Sequence, residues 1–208
     1  KVKATFFIVG EFADKYPEAV RKLSNAGHEI ANHSDKHANM TKMKYEDIKA
    51  DIAASNEKLK KLTGKTPDLF RAPYGDYNND VVKAAKSLSM FAIQWDVDSL
   101  DYKDLSAEDI KKRVVPKVQN GSIVLFHTDT LSTAKALPSI IKELQEKGYE
   151  LVTVGELIYK ENYSIDHTGK QSKVTAPTTA PPTTAEQTTA VPTTAAETKA
   201  TEPTTKKK

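Results

Sequence analysis

The chain has 208 residues, no cysteine, and a formal net charge of +3 from 31 basic and 28 acidic residues. Lack of cysteine excludes a disulfide scaffold and any thiolate metal site. Lysines sit beside acids, as in Lys49-Ala50-Asp51 and Lys142-Glu143, which excludes a nucleic-acid-binding stripe, and no stretch reaches the roughly 18 apolar residues of a membrane span.

The apolar run over 2–9 predicts a first strand. A helix opens at Tyr16-Pro17-Glu18, with proline in its first turn, and stops at Gly27. Residues 28–32 form the next strand, which delivers His33-Ser34-Asp35-Lys36-His37. The segment 45–62 is an amphipathic helix, with Ile48, Ile52, Leu59 and Leu62 at helical spacing, and it stops at Gly64. Leu69-Phe70 lead into Arg71-Ala72-Pro73-Tyr74-Gly75. Helices near 81–88, 107–114 and 138–147 then alternate with strands at 90–94, 122–126 and 149–152. That alternation predicts a parallel α/β sheet. Periodicity alone does not separate a barrel from an open doubly wound sheet.

A boundary follows near residue 160. Thr, Ala and Pro dominate from about Thr168, and large apolar residues fade. Such a segment buries too little apolar surface to offset its ordering entropy, so 161–208 is expected to be a disordered linker or tail behind a folded body at 1–160. Thr/Pro-rich text of this kind is typical of secreted or surface proteins. His167 is expected to be free in it.

Four polar clusters follow apolar runs. In a helical turn, His33 and His37 at i and i+4 share one face and can share one divalent ion, although zinc usually takes a third protein ligand. The other clusters are Arg71-Ala72-Pro73-Tyr74-Gly75, the stretch Trp95 to Tyr102, and His127 after Leu125-Phe126. In a parallel barrel, side chains at the carboxyl ends of strands converge on one face. Nearby residues have structural readings: His28 as a satisfied core histidine, Asp35 as a turn cap, Trp95 as a strand anchor. Asp98 is evenly balanced between positioning backbone and assisting a neighbouring acid.

In that order, H-S-x-x-H, R-A-P-Y-G, D-S-L-D-Y and L-F-H resemble the polysaccharide deacetylases, the NodB-homology group of carbohydrate esterase family 4, from Lys1 to about residue 160. More narrowly, F-R-A-P-Y-G-D-Y-N followed by Q-W-D-V-D-S-L-D-Y resembles bacterial deacetylases of cell-wall peptidoglycan or related glycans. The resemblance implies an α/β fold, the distorted parallel (β/α) barrel of that family. Residues 1–10 look like the family's second strand, and no initiator Met, signal peptide or T-F-D-D-G-like motif precedes them. The expectation is a fragment lacking the first strand and its aspartates, inactive by itself.

The resemblance also implies roles. His33 and His37 would hold a divalent metal, zinc first, or cobalt, nickel or manganese. The backbone N–H of Tyr74 would face the oxyanion, and Arg71 would pair with the aspartate base. His127 would be the general acid, with Asp101 as its partner. Tyr102 stands where the family usually has Trp, and Leu125 would line an acetyl pocket. The expected activity is N-deacetylation of a peptidoglycan- or chitin-like polymer at a bacterial cell surface, by a monomer whose partner is the N-acetylated glycan. The alternatives are an O-acetyl esterase on xylan-like polysaccharide and an inactive wall-glycan-binding module.

Overall fold

The computed structural model describes residues 1–174. Strands β1 (Thr5–Ile8), β2 (Glu29–Asn32), β3 (Leu69–Phe70) and β4 (Phe91–Ala92) pair in that order, all parallel. Two further strands, β5 (Val97–Asp98) and β6 (Val124–Leu125), form a second parallel pair. Side chains alternate across these strands, as period-2 geometry requires. Phe7, Ala31, Leu69, Phe91 and Ile93 meet Ile123 in one apolar cluster. Their neighbours Phe6, Ile8 and Ile30 face outward onto helices. An interior shared by both sheets belongs to a closed layer of staves, whereas an open doubly wound sheet has helices on both faces. The fold is therefore the distorted parallel barrel.

Helices α1 (Gly10–Lys15), α2 (Pro17–Asn25) and α3 (Tyr45–Thr63) cover β1 and β2, while α4 (Asn79–Ser87) packs with α3 over Phe70. Helices α5 (Ala107–Val114) and α6 (Leu131–Glu146) cover the second pair through Val97, Ile110 and Ile140. In α3, Glu46 and Asp47 occupy the first turn and Lys60 and Lys61 the last, complementing the helix dipole. Gly64 ends it at φ 74°, a left-handed cap that glycine adopts without steric cost. The body closes through α7 (Val154–Leu157). Its Gly155 N–H donates to Glu29, and its Val154 N–H donates to the Thr5 hydroxyl. No helix among the described residues is long and apolar enough to cross a membrane.

Three expectations need correction. Helix α6 starts seven residues before Pro138, because the Thr130 hydroxyl caps it by accepting the Thr133 N–H, and Pro138 lies inside the helix. The stretch 149–152 has no ladder partner among the described residues. Tyr149 and Leu151 instead pack onto the α5–α6 cluster, and the Tyr149 hydroxyl donates to the Val118 carbonyl. Finally, the boundary expected at 160 falls within one compact unit, Lys1–Val174. Strands β7 (Tyr163–Ile165) and β8 (Gln171–Lys173) form an antiparallel hairpin there, with His167 in its turn. Local groups fix it: the Gln171 amide makes two hydrogen bonds to the Tyr159 backbone, and Lys160 pairs with Asp68 at 2.6 Å. The rest of the expected tail, 175–208, lies outside the described residues.

Candidate active site

Three of the clusters follow the carboxyl ends of β2, β3 and β6, and the stretch Trp95 to Tyr102 runs through β5 and brings Asp101 and Tyr102 past its carboxyl end. The loop 33–37 is not a helical turn, as the i, i+4 spacing suggested. Ser34 and His37 adopt φ of 71° and 52°. Side chains take the loop's N–H groups in place of helical carbonyls. The Asn32 carbonyl oxygen accepts from Ser34, the Ser34 hydroxyl accepts from His37, and Asp51 accepts from Asp35. Asn32 is itself fully buried and donates to Ile52 O and Asn56 Oδ1. Left-handed non-glycine residues cost about 1–3 kcal/mol each and persist where their surroundings over-determine them. Through this loop the two rings still meet, edge to face, with centroids 4.9 Å apart.

His33 Nδ1 lies 2.8 Å from the Arg71 carbonyl. A carbonyl only accepts, so Nδ1 carries the hydrogen and Nε2 keeps its lone pair for a ligand. Burial lowers the pKa of His33 to about 4, and burial also lowers that of His37. Both rings are therefore the neutral, ligating form near neutral pH. They present two neighbouring neutral imidazoles, and no group of three His, Cys, Asp or Glu placed for a metal occurs among the described residues.

Burial in its own right predicts a pH effect on metal-free protein. Below pH 6.5 the unfolded chain protonates His33, whereas the folded chain does not until about pH 4. Stability should thus be fully present above 6.5 and decline as pH falls toward 4, by about 3 kcal/mol at about 1.4 kcal/mol per pH unit. Urea midpoints of chelator-treated protein at several pH values measure this. His33→Gln should flatten the slope, and an unchanged slope would refute the assignment.

Arg71 is buried, and burial lowers its pKa to about 10. Its guanidinium stacks 4.0 Å from the Phe7 ring centroid and donates from Nη2 to the Gln94 carbonyl, while Nε has no acceptor among the described residues. The Gln94 side chain in turn donates to Gly75 O. Gly75 (φ 70°) must be glycine, since a Cβ there would lie 2.4 Å from the Trp95 ring. Trp95 is thus an anchor for the R-A-P-Y-G loop. Tyr74, at φ 61° and 68% exposed, lays its ring 4.7 Å from that of His37.

On the opposite strands, His127 Nδ1 lies 2.7 Å from Asp101 Oδ1, and the His127 backbone N–H donates to Oδ2 at 2.7 Å. An ionised carboxylate only accepts, so Nδ1 carries the hydrogen and Nε2 is the ring's free position. Burial alone would raise the Asp101 pKa. Donation from the His127 backbone, the Thr133 hydroxyl and the His127 ring outweighs burial and holds it below the usual value. Tyr102, 53% exposed, packs edge-on 5.3 Å from the His127 ring. Leu125 has the same strand parity as Ile123 but is part of no buried cluster and is half-buried. Asp98 has a structural task, accepting from Leu100 N–H. His28 is satisfied by the Ala4 N–H and packs on Phe6. Asp35 caps nothing and makes an ion pair instead.

The sequence reading missed Thr133, Asn32, Gln94 and Phe7. Thr133 lies in the first turn of α6, ahead of the Pro138 that signals a helix start in the sequence, and the others act through packing that spacing does not reveal.

The family profile described as polysaccharide deacetylase matches residues 1–93. Among curated relatives, a peptidoglycan-N-acetylglucosamine deacetylase of Bacillus cereus is 36% identical over 157 residues, 74% of this chain and 57% of the relative. A solved peptidoglycan N-acetylglucosamine deacetylase superposes with a TM-score of 0.73 at 35% identity, covering 76% of this chain and 75% of its own. The chain belongs to the polysaccharide deacetylase family. A carbohydrate esterase family 4 pseudoenzyme from Bacillus anthracis superposes equally well, at TM-score 0.73 and 33% identity, covering 75% of this chain and 55% of its own. The chain spans about half the length of the first curated relatives it matches. Within the polysaccharide deacetylase barrel, the histidine pair and the His127–Asp101 pair occupy the face where such barrels hold their chemistry.

Proposed function

We propose that this chain carries the site of a metal-dependent N-deacetylase acting on N-acetylated bacterial cell-wall glycan, outside the cell or at its surface. The observation that supports it is the convergence of His33 and His37 with His127–Asp101 on one barrel face, close enough that a charge on His127 is felt at both of the paired rings. His33 and His37 would hold the ion, zinc first among divalent metals. The ion supplies Lewis acidity toward the acetyl carbonyl and toward water. The Tyr74 N–H, in a loop fixed by Gly75 and Trp95, would donate to the developing oxyanion. His127 Nε2 would deliver a proton to the departing amine, with Asp101 holding the ring's orientation. Arg71 would present its free Nε–H to a carboxylate base. Leu125 and Tyr102 would flank the acetyl group and sugar.

A second reading, an inactive wall-glycan-binding module, is favoured by likeness to the pseudoenzyme and by the two-donor metal set among the described residues. Acetate release from N-acetylated peptidoglycan by the intact protein, with zinc, cobalt, nickel or manganese supplied in turn, decides between them. Metal-dependent release supports the enzyme, and glycan binding without release supports the module. Faster release from acetylated xylan would point to an O-acetyl esterase.

A further inference from the structure

Between the two histidines lies a residue whose charge the site chemistry above does not use. Asp35 is 6% exposed, and its Oδ1 sits 2.6 Å from Lys58 Nζ on α3. The same ammonium lies 2.7 Å from Asp14 Oδ2 on α1. The Asp35 backbone is gripped from both sides as well. Its N–H donates to Asp51 Oδ1 on α3, and its carbonyl accepts from Glu11 N–H on α1. Ser34, next to it, accepts through its carbonyl from Gly10 N–H. Gly10 has no room for a side chain, because a Cβ there would lie 2.0 Å from Asp35 Oδ1 and 3.1 Å from Asp35 Cα.

We infer that the Asp14–Lys58–Asp35 ion-pair chain is a positioning device for the ligand loop, setting the distance between His33 and His37 and hence metal affinity. The inference rests on the reading of that pair as metal ligands. The physical argument is one of over-determination. A loop with two left-handed non-glycine residues has no regular ladder to define its shape, so its shape is defined by what its middle residue is tied to. Here the middle residue carries a buried carboxylate, which demands a partner, and the Lys58 ammonium faces its Oδ1 as an opposite charge at 2.6 Å, out of line for a hydrogen bond to that oxygen. Lys58 also bridges to α1, so the two helices that flank the loop are locked together at the point where the loop passes between them. Partners that orient metal ligands typically change metal affinity by about 10–100-fold when removed.

Asp35→Asn and Lys58→Met in the intact protein test this, with Lys58→Arg as the conservative rescue. Zinc affinity is measured by competition with a chromophoric chelator, and thermal midpoints are measured on metal-free protein. Asp35→Asn and Lys58→Met should each weaken zinc binding about 10–100-fold, the double variant no more than the worse single one, and Lys58→Arg should recover most of it. Gly10→Ala, which displaces the Asp35 side chain without touching charge, should weaken zinc binding in the same direction. Zinc affinity within twofold of the parent in both charge variants would overturn the inference, whatever their thermal midpoints. His33→Ala serves as the reference. If it retained zinc at parental affinity, the ligand reading itself would fall, and this inference with it.

Discussion

Replacing His127 by alanine is expected to slow turnover of an acetamide substrate by roughly 10²–10⁴-fold, the usual contribution of a positioned proton donor. Hydrolysis of an activated aryl acetate should fall much less. The difference lies in the leaving group: an amine anion needs a proton to depart, whereas an aryl oxide leaves without one. The geometry assigns this proton to one atom. Asp101, buried and ionised, takes the Nδ1 hydrogen, so Nε2 is the position that can serve a substrate, and the side chain is 40% exposed on that barrel face. Asp101→Asn keeps the shape but can place an amide N–H against Nδ1–H, which turns the ring or switches its tautomer. It should therefore reproduce much of the amide loss with the same sparing of the ester. Parallel rate measurements on the two substrates check both variants. Equal losses on amide and ester would make His127 a binding or structural residue.

Much of this site was legible in the sequence because its parts lie at strand ends, where an apolar run gives way to chemistry-bearing residues. His33, Arg71, Asp101 and His127 all stand at such transitions, and the order of their motifs carried the family. What the sequence could not convey was how the loops hold them. The spacing of His33 and His37 suggested a helical turn, yet Asn32, Ser34 and Asp51 offer side-chain acceptors that compete with helical carbonyls. The spacing was right that the two rings meet and wrong about the backbone that brings them together. Pro138 shows a related failure. Proline favours the first turn of a helix, but the Thr130 cap lies eight residues earlier and sets the start. That helix brings Thr133 against Asp101, so the misplaced start also hid a hydrogen bond of the site. Polar composition concealed the hairpin at 163–173, which is fixed by local hydrogen bonds and one ion pair, with few apolar residues of its own.

Loss of either histidine of the pair should remove the metal. In the intact protein, His33→Ala and His37→Ala should each lower metal content, measured by elemental analysis after dialysis, to the level of a chelated control, and acetate release should fall with it. With a catalytic ion usually held by three protein ligands, deleting one leaves a set too weak to survive dialysis. The two variants should differ in stability, which separates ligation from folding. His33 is the more strongly desolvated ring and satisfies the Arg71 carbonyl, so His33→Ala leaves a cavity and an unpaired buried acceptor, costing about 1–3 kcal/mol for the acceptor alone. The His37 ring lies against the His33 ring and the largely exposed Tyr74 and satisfies no buried carbonyl, so His37→Ala should lower the urea stability by less than His33→Ala does. A folded His37→Ala protein without metal is therefore the decisive result. Parental metal content in either variant would mean that the ion, if one is bound, is held elsewhere, and the roles assigned to both rings would have to be abandoned.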